Sequence, residues 1–367
     1  MSVDRRFAVL ALRECGSDLM RDEDYRDVHL GARLAERHWH WPEFGNRVNA
    51  NMTDRELMGL PERFWRSHEV VDREYARRVT GLDAGHLVAD LGRCSLPLRT
   101  RLTAGALLAL VGDPRINPFN PPMCTIPGGT WELGLALDQV DAVMKCYEDL
   151  GLDRTWIEKE VPKYSISLAP FRLARYPITN LEYVTFLSDT GYTEIPSSWR
   201  FGRYPQERAN HPVFSVSPEA ADAYVAWLRS RTGRAFRLPK EAEWEVAAAG
   251  HCGLEFPWGD VFLPDCANTL ESGLLDTSPV GAFPAGASPF GVMDMGGNVE
   301  EYVADDYTPY GDGRHVSDDL TETLGSYRIA RGGSFTRFRD LARTRRRHGR
   351  YPRDVYVMGF RIAEDGW

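Results

Sequence analysis

Eight arginines crowd one short stretch near the C-terminus: Arg337, Arg339, Arg343, Arg345, Arg346, Arg347, Arg350 and Arg353. Arginine presents a planar fork of donors that matches a carboxylate or a phosphate. Phe338, Tyr351 and Tyr356 are interleaved with them, and His348 sits among them with a side chain able to exchange a proton near neutral pH. Such a pattern predicts an anion-binding surface built from Arg337, Phe338, Arg339, Arg346, His348, Arg350 and Tyr351, with His348 as a lone acid/base group. An acidic peptide, a protein partner or a small anionic metabolite would suit it. Nucleic acid is the least favoured ligand, because the net charge is -9 and no nucleic-acid motif is present.

The elements that must hold this stretch fall into two regions. Up to about residue 118 the chain reads helical: Phe64, Trp65, His68, Val71 and Tyr75 recur at helix spacing, as do Leu102, Ala106, Leu107 and Leu110. Pro97 marks one helix start and Gly112-Asp113-Pro114 its end. This region, with the start of the chain around Arg5 to Cys15, resembles HEAT-type repeats. A proline-rich segment, INPFNPP, then marks a boundary. Beyond it short strands and turns dominate, with helices expected from Thr179-Asn180, from Ser217-Pro218 to Arg229, and from Lys240 to Ala249. The expected organisation is an all-helical domain over 1–118 and an α+β domain over 119–367.

Composition narrows the setting. The six cysteines are scattered without CxxC spacing, which favours free thiols in a reducing cytoplasm. No apolar run reaches the length of a membrane span, and the N-terminus lacks the apolar core of a signal peptide. A soluble cytoplasmic protein with no membrane partner is the expectation.

Several segments recur in a fixed order: CTIPGGTWELG (124–134), FRLARYPITNLEYVTFL (171–187), HPVFSVSPEAADAYVAWL (211–228), RLPKEAEWEVAAAG (237–250), GGNVEEY (296–302), and the closing frame from Arg331-Gly332-Gly333 to Gly359-Phe360-Arg361. Together they resemble the formylglycine-generating enzyme and sulfatase-modifying factor superfamily, whose fold is a variant of the C-type-lectin fold. The resemblance covers Pro122 to the C-terminus. Where the family's copper-binding enzymes carry two cysteines beyond the Gly-Gly turn, this chain has Arg337 and Ala342. Copper(I) prefers thiolates, so formylglycine generation by that route is not expected. The family's iron-dependent sulfoxide synthases draw histidines largely from an N-terminal helical domain. His38 and His40 are two apart here, so they would diverge on a helix but could share a face on a strand, and no third partner is visible.

The resemblance further implies a structural calcium ion on Asn268, Asp276, Asn298 and Glu301, since calcium prefers oxygen ligands. In that motif Glu300 and Tyr302 stand where the family has tryptophans, leaving Glu300 either near an ion or in solvent. Arg343, Arg347 and Arg361 match arginines that the family uses as scaffold. Trp227 and Trp244 are expected in the core, His211 in a structural hydrogen bond, and Glu241 and Glu243 against a helix dipole. With no catalytic residue assigned, the first expectation is a non-catalytic recognition or adaptor protein on this scaffold, binding an anionic peptide, protein or small ligand. The alternative is a non-heme iron oxidative enzyme of the same superfamily, acting on an amino acid or peptide in specialised metabolism.

Overall fold

The computed structural model describes residues 70–366, apart from Thr80, Leu82 and Asp354, together with Arg55 and Met58. The repeat-like start of the chain, the helical spacing at Phe64 and Trp65, and His29, His38, His40 and His68 lie outside the described residues.

Three helices come first: α1 (Arg73–Arg78), α2 (Ala84–Leu91) and α3 (Leu98–Val111). Asp72 and Asp83 cap the first two by accepting from the backbone N–H of Tyr75 and His86, while Pro97 precedes the third. Their apolar faces, including Tyr75, Leu91 and Leu108, close on Ala282 and Phe283 from a later loop. Gly105 permits this approach, because an added Cβ would lie 2.5 Å from Pro279.

The remaining chain mixes short strands and helices, in keeping with an α+β reading of 119–367, while the HEAT-like reading of the earlier region falls largely on residues outside those described. One sheet runs β1 (Met123–Ile126), β4 (Phe171–Ala174), β10 (Ala363–Glu364), β5 (Phe236–Arg237), and a separate pair joins β2 (Gly129–Leu133) to β3 (Tyr164–Leu168). A second sheet runs β8 (His348–Gly349), β7 (Arg328–Arg331), β6 (Glu300–Asp306), β9 (Met358–Phe360), with β6 and β9 parallel. Short helices α4 (Val140–Cys146) and α5 (Arg154–Glu158) lie between β2 and β3. The longer α6 (Asn180–Thr190), α7 (Pro218–Thr232) and α8 (Glu241–Ala249) follow, and α9 (Asp319–Leu324) precedes β7.

Local chemistry sets these helices where the spacing predicts them. Thr179 and Glu182 form a reciprocal cap on α6, and Ser217 caps α7 with Pro218 at its first position. Gly233 ends α7 at φ +68°, a conformation that favours glycine. Trp244 is fully buried and donates to Glu301 at 2.8 Å, while Trp227 donates to Asp189 at 2.6 Å, so both are core residues with satisfied N–H groups. His211 is buried with Nδ1 2.9 Å from the Thr277 hydroxyl. Burial and the nearby Arg208 charge push its pKa down to about 3, which keeps it neutral.

Among the described residues, four arginines are less than 2 % exposed: Arg331, Arg343, Arg347 and Arg361. Each is matched to carboxylates and carbonyls far away in sequence. Arg361 holds Glu301 through two 2.5 Å bonds and donates to the carbonyls of Ala174 and Met293 at 2.9 Å. Arg347 holds Glu241 through two 2.8 Å bonds, and Arg343 holds Glu160 at 2.8 and 2.9 Å and also meets Glu255. Arg331 pairs with Glu245 and donates to the carbonyls of Thr344 and Arg346 at 3.0 Å. Glu241 and Glu243 therefore do more than face a helix dipole: Glu241 neutralises Arg347, and Glu243 binds Arg237 at 2.6 and 2.8 Å.

Breaking one such pair leaves a carboxylate buried without its counter-charge. Arg361→Met is expected to cost about 3–5 kcal/mol in urea unfolding at pH 7. A loss below about 1 kcal/mol, the size of a surface pair, would show that Arg361 and Glu301 are not coupled as described.

Candidate active-site cleft

The loop after the Gly332-Gly333 turn, the strand β8 and the segment leading into α9 meet around a small, partly open cleft of about 80 Å³. Gly333 makes the turn at φ +67°, and an added Cβ would lie 2.9 Å from the Leu341 backbone. That tight return brings Thr336, Arg337 and Phe338 against Arg346, His348 and Tyr351. Leu150, Leu152 and Trp156 form the facing wall, with Asp318, Asp319 and Leu320 below.

Of the residues expected to bind ligand, Arg337, Phe338, Arg346, His348 and Tyr351 line this one cleft, whereas Arg339 and Arg350 do not. The arginines without an evident scaffold role turn out to be largely paired. Arg339 binds Asp149 at 2.6 and 2.7 Å and lies 3.7 Å from Glu271; Arg346 binds Asp340 at 3.3 Å and lies over the Trp156 ring; Arg350 lies 3.8 Å from the centroid of Tyr356. The expected continuous anion-binding surface is thus mostly internal salt bridging. Sequence spacing could not reveal this, because Asp149 and Arg339 are 190 residues apart.

Glu300 is the residue whose placement differs most from expectation. It is 1 % exposed at the start of β6 and so not in solvent, and both its oxygens are engaged by side chains other than the expected calcium ligands. Its Oε1 accepts from Arg337 Nε at 3.2 Å, and its Oε2 lies 2.5 Å from His348 Nδ1. Burial opposes its negative charge, but His348 and Arg337 outweigh that and hold its carboxyl below the ordinary range. The substitution of a carboxylate for the family's tryptophan therefore comes with a guanidinium at a former copper position and an imidazole facing it.

The remaining polar groups of the floor are satisfied internally. Lys159 pairs with Asp318, and its Nζ lies 5.6 Å from the centroids of both the Tyr307 and Tyr327 rings; burial pulls its pKa down to about 8 despite that partner. The Tyr351 hydroxyl donates to Asp319, which also accepts from Trp156 Nε1 at 3.2 Å. Sequence reasoning missed Trp156, Lys159, Asp318 and Asp319, whose only local signal is an aromatic and acidic composition.

The residues expected to hold calcium have other partners. Asn298 Oδ1 accepts from Asn268 Nδ2 at 3.3 Å and from the Ser278 N–H at 2.9 Å, and Asn268 Oδ1 accepts from Ser272. Asp276 pairs with Arg208 at 2.6 Å, and Glu301 is taken by Arg361 and Trp244. Their oxygens serve a hydrogen-bonded knot. Among the described residues, no group of three His, Cys, Asp or Glu side chains is arranged to hold a metal. Copper(I) does not fit the Gly-Gly loop either, since Arg337 offers no soft donor and Ala342 is fully buried. No helix among the described residues is long and apolar enough to cross a membrane.

Residues 112–366 match the model of the sulfatase-modifying factor enzyme 1-like domain. The chain is 35 % identical over 225 residues to the serine/threonine-protein kinase Pkn1 of Chlamydia trachomatis, covering 56 % of this chain and 35 % of that one. It is 30 % identical over 254 residues to the hercynine oxygenase of Mycolicibacterium thermoresistibile, covering 59 % and 56 % respectively. Among solved structures, PvdO from Pseudomonas aeruginosa superposes with a TM-score of 0.51 at 27 % identity, over 67 % of this chain and 94 % of that one. The chain thus spans between about a third and three fifths of the length of these curated relatives.

The depressed Glu300 carboxyl carries a pH signature. Its charge stabilises the fold above the ordinary glutamate pKa of 4.5, and that contribution is lost as pH falls through the lower value it has when folded. Glu300→Gln is therefore expected to cost about 1–3 kcal/mol at pH 7, and the gap to wild type should narrow as pH drops through and below 4.5. Urea midpoints measured from pH 7 down to the acid limit check this; a gap that stays constant would remove the ion pairing.

Proposed function

This chain belongs to the sulfatase-modifying factor enzyme 1-like family, and on that premise we propose that the cleft is the active site of an oxidative enzyme acting on a small amino-acid-like or peptide substrate with an anionic group. The observation that carries this is the set of groups left over after internal pairing. Arg337 uses only Nε on Glu300, and Arg346 uses Nε and Nη1. Their remaining guanidinium nitrogens, with His348 Nε2, make no hydrogen bond among the described residues and belong to residues that line the cleft. Donors collected in a small concavity suit a single carboxylate group better than an extended acidic surface.

An adaptor reading depends on arginines that lack partners, and most of them have partners. The likeness to hercynine oxygenases, at 29–31 % identity in three mycobacterial proteins, supports the enzyme instead. The chain covers little more than half of each, so their substrate is not carried over. The kinase name of Pkn1 is not carried over either, since only 35 % of that protein is matched. We assign any iron to histidines of the segment before residue 70, His38 and His40 foremost, and route no step of chemistry through it. The described part of the chain would bind and orient the substrate. Residues 1–118 and 119–367 are taken as the metal-bearing and substrate-orienting units of this proposal.

The full-length chain, supplied with Fe(II) under anaerobic conditions and desalted, is expected to retain iron near one per chain. Oxygen uptake should then follow addition of one of the common α-amino acids or a cysteine-containing dipeptide. His38→Ala and His40→Ala should lose the iron, while Arg337→Met should keep it and raise KM. Retention of calcium alone, or of no metal, with no oxygen uptake for any of these compounds, would overturn the oxidative reading.

A further inference from the structure

A carboxylate that only neutralises a buried cation leaves nothing over on either side. Arg361 illustrates this: Nε, Nη1 and Nη2 are all bonded. The Glu300 cluster differs. Glu300 is buried and both its oxygens are engaged, yet His348 and Arg337 each spend one nitrogen on it and keep others for the cleft they line. An ionised carboxylate only accepts, so the Nδ1 that lies 2.5 Å from Glu300 is the donor of that contact. When the ring is neutral, Nδ1–H directed at Glu300 leaves the lone pair on Nε2.

We infer that His348 is the proton-transfer group of the cleft, held in its Nδ1–H tautomer by Glu300, and that Arg337 binds the carboxylate of a substrate whose ionisable proton lies within reach of His348 Nε2. The inference rests on the cleft being an active site, as proposed above, but not on the oxidation. In the step, an X–H bond of the substrate breaks, its electron pair stays on X, and a new N–H bond forms at Nε2. The resulting imidazolium is offset by Glu300, and the same proton returns to product. No electron is exchanged and no co-reactant is needed. Glu300 is a positioning residue, since it touches only His348 and Arg337.

Other titratable groups on the floor are excluded by their bonding. Lys159 Nζ is fully buried between Asp318 and the Tyr327 hydroxyl, and the Tyr351 hydroxyl is committed to Asp319. Neither presents a free atom to the cleft. His315 and His86 are exposed and away from it, which makes them internal references.

The test uses the full chain with 15N-labelled histidine, diethyl pyrocarbonate as the imidazole reagent and succinate as the carboxylate probe. Long-range 1H–15N spectra, assigned by the signal missing in His348→Asn, should show Nδ1 protonated and Nε2 bearing the lone pair. Acylation of His348, followed by mass spectrometry, should slow several-fold in Glu300→Gln while His315 is unchanged. Succinate should protect His348 in wild type and fail to do so in Arg337→Met. An Nε2–H tautomer, equal acylation rates in wild type and Glu300→Gln, or protection that survives Arg337→Met would each overturn the inference. Should Glu300→Gln not fold, the wild-type tautomer and the Arg337→Met protection decide alone. Positive results without oxygen uptake would remove the oxidation and leave the His348–Glu300 pair; oxygen uptake with a failed tautomer would do the reverse.

Discussion

Four guanidinium groups in the interior must each meet a carboxylate, and this requirement ties the loop-rich domain together. Arg331, Arg343, Arg347 and Arg361 cannot lose their charge at any physiological pH, and burying an unpaired ion costs several kcal/mol. Each therefore dictates where a distant glutamate must sit. Arg343 fixes Glu160 from the connection into β3, Arg347 and Arg331 fix Glu241 and Glu245 of α8, and Arg361 fixes Glu301 of β6. The strands are short, two to seven residues, so ladder hydrogen bonds alone supply little registration. The arginines, with their additional bonds to main-chain carbonyls, supply the rest.

The same constraint explains why a cleft exists and what it contains. Of the arginines on the chain after the Gly-Gly turn, Arg343 and Arg347 are drawn inward by glutamates, whereas Arg337 and Arg346 line the cleft. Arg346 and Arg337 are intermediate: each is anchored through Nε and keeps part of its fork unspent. Glu300 is the pivot, because it buries a negative charge directly beneath the opening and so holds both Arg337 and His348 there. A tryptophan at that position would fill the space but hold neither.

Much of the scaffold was legible in the sequence. Thr179 and Ser217-Pro218 mark helix starts by local chemistry that needs no tertiary context, and the structure places them there, although the second helix runs on past the expected Arg229 to Thr232. The ordered segments from Cys124 to Arg361 likewise carried the family, and Arg343, Arg347 and Arg361 their scaffold role. The site was less legible. Arg339 read as available because Asp149 is 190 positions away, and Glu300 read as solvent-exposed or ion-binding because His348 is 48 positions away. Charge pairing across such separations leaves no periodicity. The one usable clue was the pairing of two departures, a glutamate for a tryptophan and an arginine for a cysteine, which makes sense only if they touch.

Isothermal titration of succinate into the full chain, repeated in buffers of different ionisation enthalpy, tests the central claim most directly. If a carboxylate settles on Arg337 beside His348 Nε2, its charge favours protonation of that nitrogen, and binding takes up protons from the buffer. The account predicts binding heats that vary with buffer in wild type and become buffer-independent in His348→Asn, with binding itself retained. Heats identical across buffers in wild type, or a buffer dependence that survives His348→Asn, would contradict it.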